Sequence, residues 1–125
     1  MRTLLVVDAA NTVGSVPDGW WRDRRGAAER LRDGLVAYAE TGVDGHPGPL
    51  DVVLVVEGAA RGVESVPGVR VDAAPASGDD RIVELVAEAA ADVTVVVTAD
   101  RELRRRVGEL GAVCVGPRTV YPTRR

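Results

Sequence analysis

The chain has no lysine and no phenylalanine, one cysteine, and only four aromatic rings, two Trp and two Tyr, in 125 residues. All 16 basic residues are arginine. Without lysine there is no P-loop of the Walker type, no Schiff-base chemistry and no lysine-dependent receiver switch. A lone Cys114 excludes an internal disulfide framework and a cysteine zinc site. The first apolar run, Leu4 to Val7, stops at Asp8 after four residues, too short for a signal peptide or a membrane span. The chain therefore reads as soluble and cytoplasmic, with no membrane partner.

What is present is a foldable composition, 46% hydrophobic and 28% charged, of a length that suits one domain. With so few aromatics, the core falls to 24 Val and 17 Ala. Valine runs favour strands, and alanine with leucine favours helices. A short apolar run at Thr3–Val7 and the valine-rich runs Asp51–Glu57 and Val93–Thr98 predict buried strands. Val69–Val71 and Ala112–Val115 predict two more. Apolar residues at helical spacing predict helices near Asp23–Glu40, Asp79–Ala91 and Asp100–Leu110, while residues 9–22 and 41–49 read as loops. Strands alternating with helices over short links predict a three-layer α/β/α sandwich with a mostly parallel central sheet. Residues 1–116 form the expected domain, and residues 117–125 read as a basic C-terminal tail.

In such a sheet ligands bind beyond the carboxyl ends of the strands, where strand order reverses. Acids gather at those ends. Strand one runs into Asp8, strand two into Glu57, and the fourth into Thr98-Ala99-Asp100, while Ser77-Gly78-Asp79-Asp80 opens the helix between. Clustered carboxylates repel one another, and keeping them ionised needs a cation. Oxygen-only donors favour Mg²⁺ or Mn²⁺ over zinc, and such an ion suits phosphodiester hydrolysis. Each acid also has a plainer reading: Ser77-x-x-Asp80 is a capping arrangement and Asp100 an ordinary helix N-cap. Asp8 is harder to explain that way, because charge directly after a buried strand is rarely placed for packing.

Three segments carry a family resemblance. Val6-Val7-Asp8-Ala9-Ala10-Asn11 resembles the opening motif of NYN domains, the bacterial branch of the PIN-like ribonucleases. Ser77 to Glu84 resembles their second motif, and Val97-Thr98-Ala99-Asp100-Arg101-Glu102-Leu103 the third, with Gly111 to Val115 as the closing strand. The resemblance runs over essentially the whole chain, with the motifs in order. It implies a PIN-like fold and a metal-dependent ribonuclease in which an activated water attacks the phosphodiester in line and leaves a 5′-phosphate. By position it implies Asp8, Asp80 and Asp100 as catalytic metal ligands, with Asn11 orienting Asp8 or touching phosphate. Glu102 is an outer acid. Glu84 lies one helical turn from Asp80 and within reach of the cluster. Glu57 stands where relatives often have Asp. Asp79 fits the second motif as well as Asp80, and one sequence leaves both open.

Residues 101–125 carry seven Arg against Glu102 and Glu109, in a chain whose net charge is −3. A basic end on an acidic body suits a polyanionic partner. Arg101, Arg104 and Arg105 are the candidate RNA contacts, although Arg104 and Arg105 cannot both face the site. Trp20-Trp21 suits base stacking or a hydrophobic lid before a helix. His46 reads as a loop residue and Cys114 as core. A Rossmann domain is disfavoured, because no G-x-G-x-x-G follows strand one. An aspartyl-nucleophile phosphatase would want an acid where Ala10 stands. The rival from another class is a PIN-like module of little or no turnover that binds RNA or a protein. Oligomeric state, a homodimer included, is not readable from the sequence.

Overall fold

The computed structural model describes residues 1–121, so Arg124 and Arg125 of the expected basic tail lie outside the described residues. Strand β1 (Thr3–Asp8) is followed directly by a short helix α1 (Ala9–Val13), and then by the long helix α2 (Arg24–Thr41). A small antiparallel pair, β2 (Gly42–Val43) and β3 (His46–Pro47), leads into β4 (Asp51–Val56) and β5 (Val69–Ala73). Helix α3 (Gly78–Glu88), β6 (Val93–Val97), α4 (Arg101–Gly108) and β7 (Val113–Val115) complete the alternation.

The five main strands form one parallel sheet in the order β5-β4-β1-β6-β7. β1 is central, and successive strands are added first on one side of it and then on the other. β1 and β6 are neighbours whose onward connections run in opposite directions, which opens a crevice at their carboxyl ends.

Strand alternation sorts the core into two layers. Leu5, Val7, Leu54, Val56, Val95 and Val97 face α1 and α2, where Ala27, Ala28, Leu31 and Leu35 are buried. Leu4, Val6, Val53, Val55 and Val96 face α3 and α4, meeting Ile82, Val86, Leu103 and Val107. The small side chains of α2 let a helix lie close to a sheet whose own side chains are mostly valine. The three-layer α/β/α arrangement with a parallel sheet is the one the valine runs predict.

Four local features differ from the sequence reading. Residues 9–13 are a helix rather than a loop: five residues are too few for a visible periodicity, and the helix is held by the Asp8 cap and by buried Ala9, Thr12 and Val13. The connector after α2 is a two-stranded β pair, entered at Gly42 with φ 87°. An added Cβ there would lie 2.4 Å from the backbone of the opposing strand, so only glycine fits. Helix α3 ends at Glu88, before the alanine run is spent, as the chain turns to bring the Asp92 and Val93 amides onto the Arg2 carbonyl at 2.9 and 3.2 Å. Finally, Pro117–Thr119 form a 3-10 turn and Val120 is buried, so packing continues past residue 116. The Tyr121 hydroxyl donates to Asp18 at 3.1 Å.

Candidate active site

The strand register builds the site. Leu4 and Val6 face the α3/α4 layer, and two residues further along the same face stands Asp8. Val7 pairs with Val97, so the next residues, Asp8 and Thr98, lie side by side. On the other side of β1, Val53 and Val55 lead by the same alternation to Glu57. Above this face sit the N-termini of α3 and α4, which bring Asp79 and Asp100. The positive ends of both helix dipoles point into the group and offset part of the repulsion between the acids.

Asp8 is 4% exposed, an unusual burial for a carboxylate. Its Oδ1 accepts the Asn11 amide at 3.2 Å, which caps α1, and its Oδ2 accepts the Thr98 hydroxyl at 3.0 Å. Those two bonds favour the charged form, but burial outweighs them, and Asp79 and Glu57 add like charge. The carboxyl is pushed up to about 6. Asp79 is raised as well, by burial first and then by Asp100 and Glu57. None of Asp8, Glu57, Asp79 and Asp100 forms an ion pair among the described residues.

Thr98 is fully buried and organises the crevice. Its hydroxyl gives its one proton to Asp8, and its oxygen accepts the Asp100 amide at 3.2 Å. Asp100 Oδ1 in turn accepts the Leu103 amide at 2.8 Å, capping α4. The Asn11 side chain accepts the Ala99 amide at 2.8 Å and so ties the β6–α4 turn to α1. Glu57 Oε1 accepts the Gly78 amide at 2.9 Å, fixing the start of α3. Three of the four carboxylates, Asp8, Glu57 and Asp100, are thus held by backbone amides, and none of the four is paired with an arginine among the described residues.

The same architecture occurs in a solved structure. This chain is similar to Rae1 (YacP) from Bacillus subtilis, with a TM-score of 0.69 and 21% identity, over 93% of this chain and 70% of that one. The fold is PIN-like. No family model matches the chain, and no curated protein matches it. No helix among the described residues is long and apolar enough to cross a membrane.

Within the PIN-like frame the acids expected from sequence divide into two groups. Asp8, Glu57 and Asp100 come together, joined by Asp79. Asp80 does not join them: it is exposed and its Oδ1 receives Arg106 at 3.0 Å. Glu84 pairs with Arg81 at 3.1 Å, and Arg81 also grips Asp72 through two bonds of 2.9 Å. Glu102 pairs with Arg105 at 2.6 Å, far enough toward solvent that this ion pair holds its carboxyl below the usual range. The reason is helix phase. In α3 the buried stripe runs through Ile82 and Val86, which puts Asp79 on the inner side and the Asp80–Glu84 pair outside. In α4 it runs through Leu103 and Val107 in line with Asp100, leaving Glu102 off the stripe.

The arginines divide in the same way. Arg101 is exposed and has no ion pair among the described residues. Arg104 donates from Nε to the Thr98 carbonyl at 2.7 Å and braces the end of β6. Arg105 is held between Glu102 and Glu109 at 2.6 and 2.8 Å, the solvated-face arrangement. His46 lies in β3, away from the crevice. Cys114 is half-buried against the α3/α4 core, and burial raises its thiol. Thr98 is the member of the group to which the motif comparison gives no role, while Asp79 is one it leaves level with Asp80; strand alternation and helix phase reach both.

Four oxygen donors with no sulfur or imidazole suit a hard divalent cation in kind. In position they suit fewer ligands than the motifs imply, since among the described residues no group of three or more such side chains is arranged to hold a metal ion. Magnesium is commonly bound through one or two carboxylates with water filling its other positions, and Asp8 with one neighbour meets that requirement.

Gly78 provides a local check. A Cβ on it would stand 2.3 Å from Glu57 Oε1, whereas alanine is a better helix residue than glycine. Gly78→Ala is therefore expected to displace the Glu57 carboxylate while changing stability by less than about 1 kcal/mol. Chemical denaturation of the variant checks this; a loss well above that figure would mean the Gly78–Glu57 bond supports the fold itself.

Proposed function

We propose that the chain is a metal-dependent ribonuclease of the NYN type, working in the cytoplasm on RNA. The reading rests on one observation above the others: a buried Asp8 at the switch point of the sheet, without an ion pair among the described residues, and with Glu57, Asp79 and Asp100 brought beside it by three further elements. Such a group can relieve its repulsion by taking up a proton or a cation, and in neutral solution a divalent ion competes well with the proton. Magnesium or manganese held by Asp8 with Asp79 or Asp100 would supply charge neutralisation at the phosphate and a more acidic water.

The chain's own residues do the remaining work. The Thr98 hydroxyl and the Asn11 amide fix both oxygens of Asp8, so the carboxylate is oriented before substrate arrives. Asn11 also holds the Ala99 turn, and Asp100 with it, at a set distance from β1. Glu57 and Asp79 are positioned to accept a proton from a water in the crevice. Arg101, at the N-terminus of α4 and without an ion pair among the described residues, would meet a phosphate of the strand. The expected product carries a 5′-phosphate.

A second reading is favoured by a different observation. The lack of any three-donor group among the described residues suits a module that binds RNA or a protein with weak turnover or none. The two readings separate in one assay. Labelled single-stranded RNA is incubated with the purified protein in Mn²⁺, Mg²⁺ or EDTA, beside Asp8→Asn and Asp100→Asn. The nuclease reading expects cutting that needs metal and is lost in both variants. Absence of cutting, or cutting that survives both substitutions, would move the reading to the binding module.

A further inference from the structure

A second cavity lies against the acid cluster. It holds about 100 Å³ and is walled by Ala9, Ala10 and Val13 of α1, by Trp20, and by the turn Gly58–Ala60, with Glu57 and Arg24 as its charged lining residues. Glu57 therefore belongs both to this cavity and to the acids around Asp8. Its aromatic wall is Trp20, and Trp21 follows in the same 3-10 turn, Trp20–Arg22. Trp20 and Trp21 meet edge to face at 5.9 Å, the Arg24 guanidinium lies 5.1 Å from the Trp20 ring, and the Arg22 guanidinium lies 5.6 Å from the Trp21 ring. Trp21 is 50% exposed. Arg22, Arg24 and Arg61 have no ion pair among the described residues, in contrast to Arg105 and Arg106 on α4.

We propose that this cavity is a base pocket for one unpaired pyrimidine of the RNA, next to the phosphodiester at the acid cluster. Three properties select that ligand. An aromatic ring and a guanidinium plane are surfaces on which unstacked RNA bases rest. The volume is below the roughly 150 Å³ that encloses a benzene ring completely, and well below the roughly 300 Å³ at which whole-ligand pockets begin. One six-membered ring seats partway, and the two fused rings of a purine do not. Arg22, Arg24 and Arg61, without ion pairs among the described residues, put positive charge on this flank, where the flanking phosphates of a seated nucleotide would run. The strand then crosses the rim from the α2 side, entering between tryptophan and arginine before it reaches the acids. The inference rests on the ribonuclease reading for its substrate class, and its test is built to fail separately from that reading.

The test uses the whole chain and two readouts. Binding of short oligouridylate, oligoadenylate and abasic oligonucleotides is followed by tryptophan fluorescence in EDTA. Cleavage of the same oligonucleotides in Mn²⁺ gives KM and kcat. Ala59→Leu fills the pocket from an exposed wall position and leaves the acids untouched, and Arg24→Gln removes the guanidinium; neither disturbs a core residue. Oligouridylate is expected to bind about tenfold more tightly than the oligoadenylate or abasic strands. Both variants are expected to erase that preference through KM, with kcat unchanged. Cleavage without pyrimidine preference, or a preference that survives Ala59→Leu, overturns the pocket while leaving the nuclease standing. Selective binding lost in Ala59→Leu, but with no cleavage, supports the pocket and removes the nuclease. Neither binding nor cleavage overturns both.

Discussion

Asp8→Asn is expected to stabilise the protein in EDTA at pH 8 by up to about 3 kcal/mol while removing the metal-dependent cleavage proposed for it. The carboxyl is pushed up to about 6 from an ordinary 3.8, chiefly by burial. The folded state therefore holds this proton more tightly than the unfolded chain does. The sign follows: the favourable contribution of protonated Asp8 is complete below about pH 4, declines as pH rises through about 6, and is gone above about pH 7. Each unit of displacement corresponds to about 1.4 kcal/mol, which sets the upper figure. Asparagine keeps the geometry because it is as good an N-cap as aspartate and can accept the Asn11 amide in the same way. Urea denaturation in EDTA from pH 4 to 8 measures the effect. The wild type should lose stability across that window and Asp8→Asn should not. Equal pH slopes in the two proteins would show that Asp8 is not charged against its surroundings. If Asp8 holds a divalent ion as proposed, its loss is expected to lower turnover about 100-fold or more, since such ions supply several kcal/mol. A substitution that strengthens the fold and abolishes the chemistry marks a group kept for function.

That conflict at Asp8 also explains why the chain could be read so far without coordinates. Valine runs such as Asp51–Val56 are visible because a strand buried on both faces has nothing to alternate with, and β4 falls within a residue of its expected limits. Asp8 stands out at the end of β1 because a charge after five buried residues has no packing role. Helix α1 was invisible because its stability comes from the Asp8 cap and from contact with the sheet, neither of which leaves a periodic trace in five residues. Motif comparison leaves Asp79 and Asp80 level, and helix phase separates them in position. Ile82 and Val86 fix the buried stripe of α3, Asp79 falls in line with them, and Asp80 lies a hundred degrees further round beside Arg106. The network through Thr98 needed the register between β1 and β6, which no local pattern encodes. The arginines of α4 misled for a related reason: a row of like residues shows where charge is, but only their partners show whether it is spent, as it is for Arg105 between Glu102 and Glu109.

Thr98→Val, an isosteric change, is expected to cost about 2–4 kcal/mol at pH 8. Shape is preserved, so no cavity opens; what disappears is one hydroxyl with two jobs. Its proton serves the buried Asp8 carboxylate at 3.0 Å, and a bond to a charged group contributes about 1.5–3 kcal/mol. Its oxygen receives the Asp100 amide at 3.2 Å, which would be left without that acceptor at the start of α4. Thr98 also works against the upward displacement of Asp8, so its removal moves that carboxyl further up. The penalty should therefore depend on pH: largest at pH 8, where Asp8 is charged, and nearer about 1 kcal/mol at pH 5, where a neutral bond is lost. Combining Thr98→Val with Asp8→Asn turns this into a coupling measurement. If the hydroxyl acts through the carboxylate, the penalty in the Asp8→Asn background should fall to the pH 5 value and lose its pH dependence. The same penalty in both backgrounds would assign Thr98 to the α4 cap alone. The crevice would then owe its order to Asn11 and the helix termini, and Asp8 would be held from one side only.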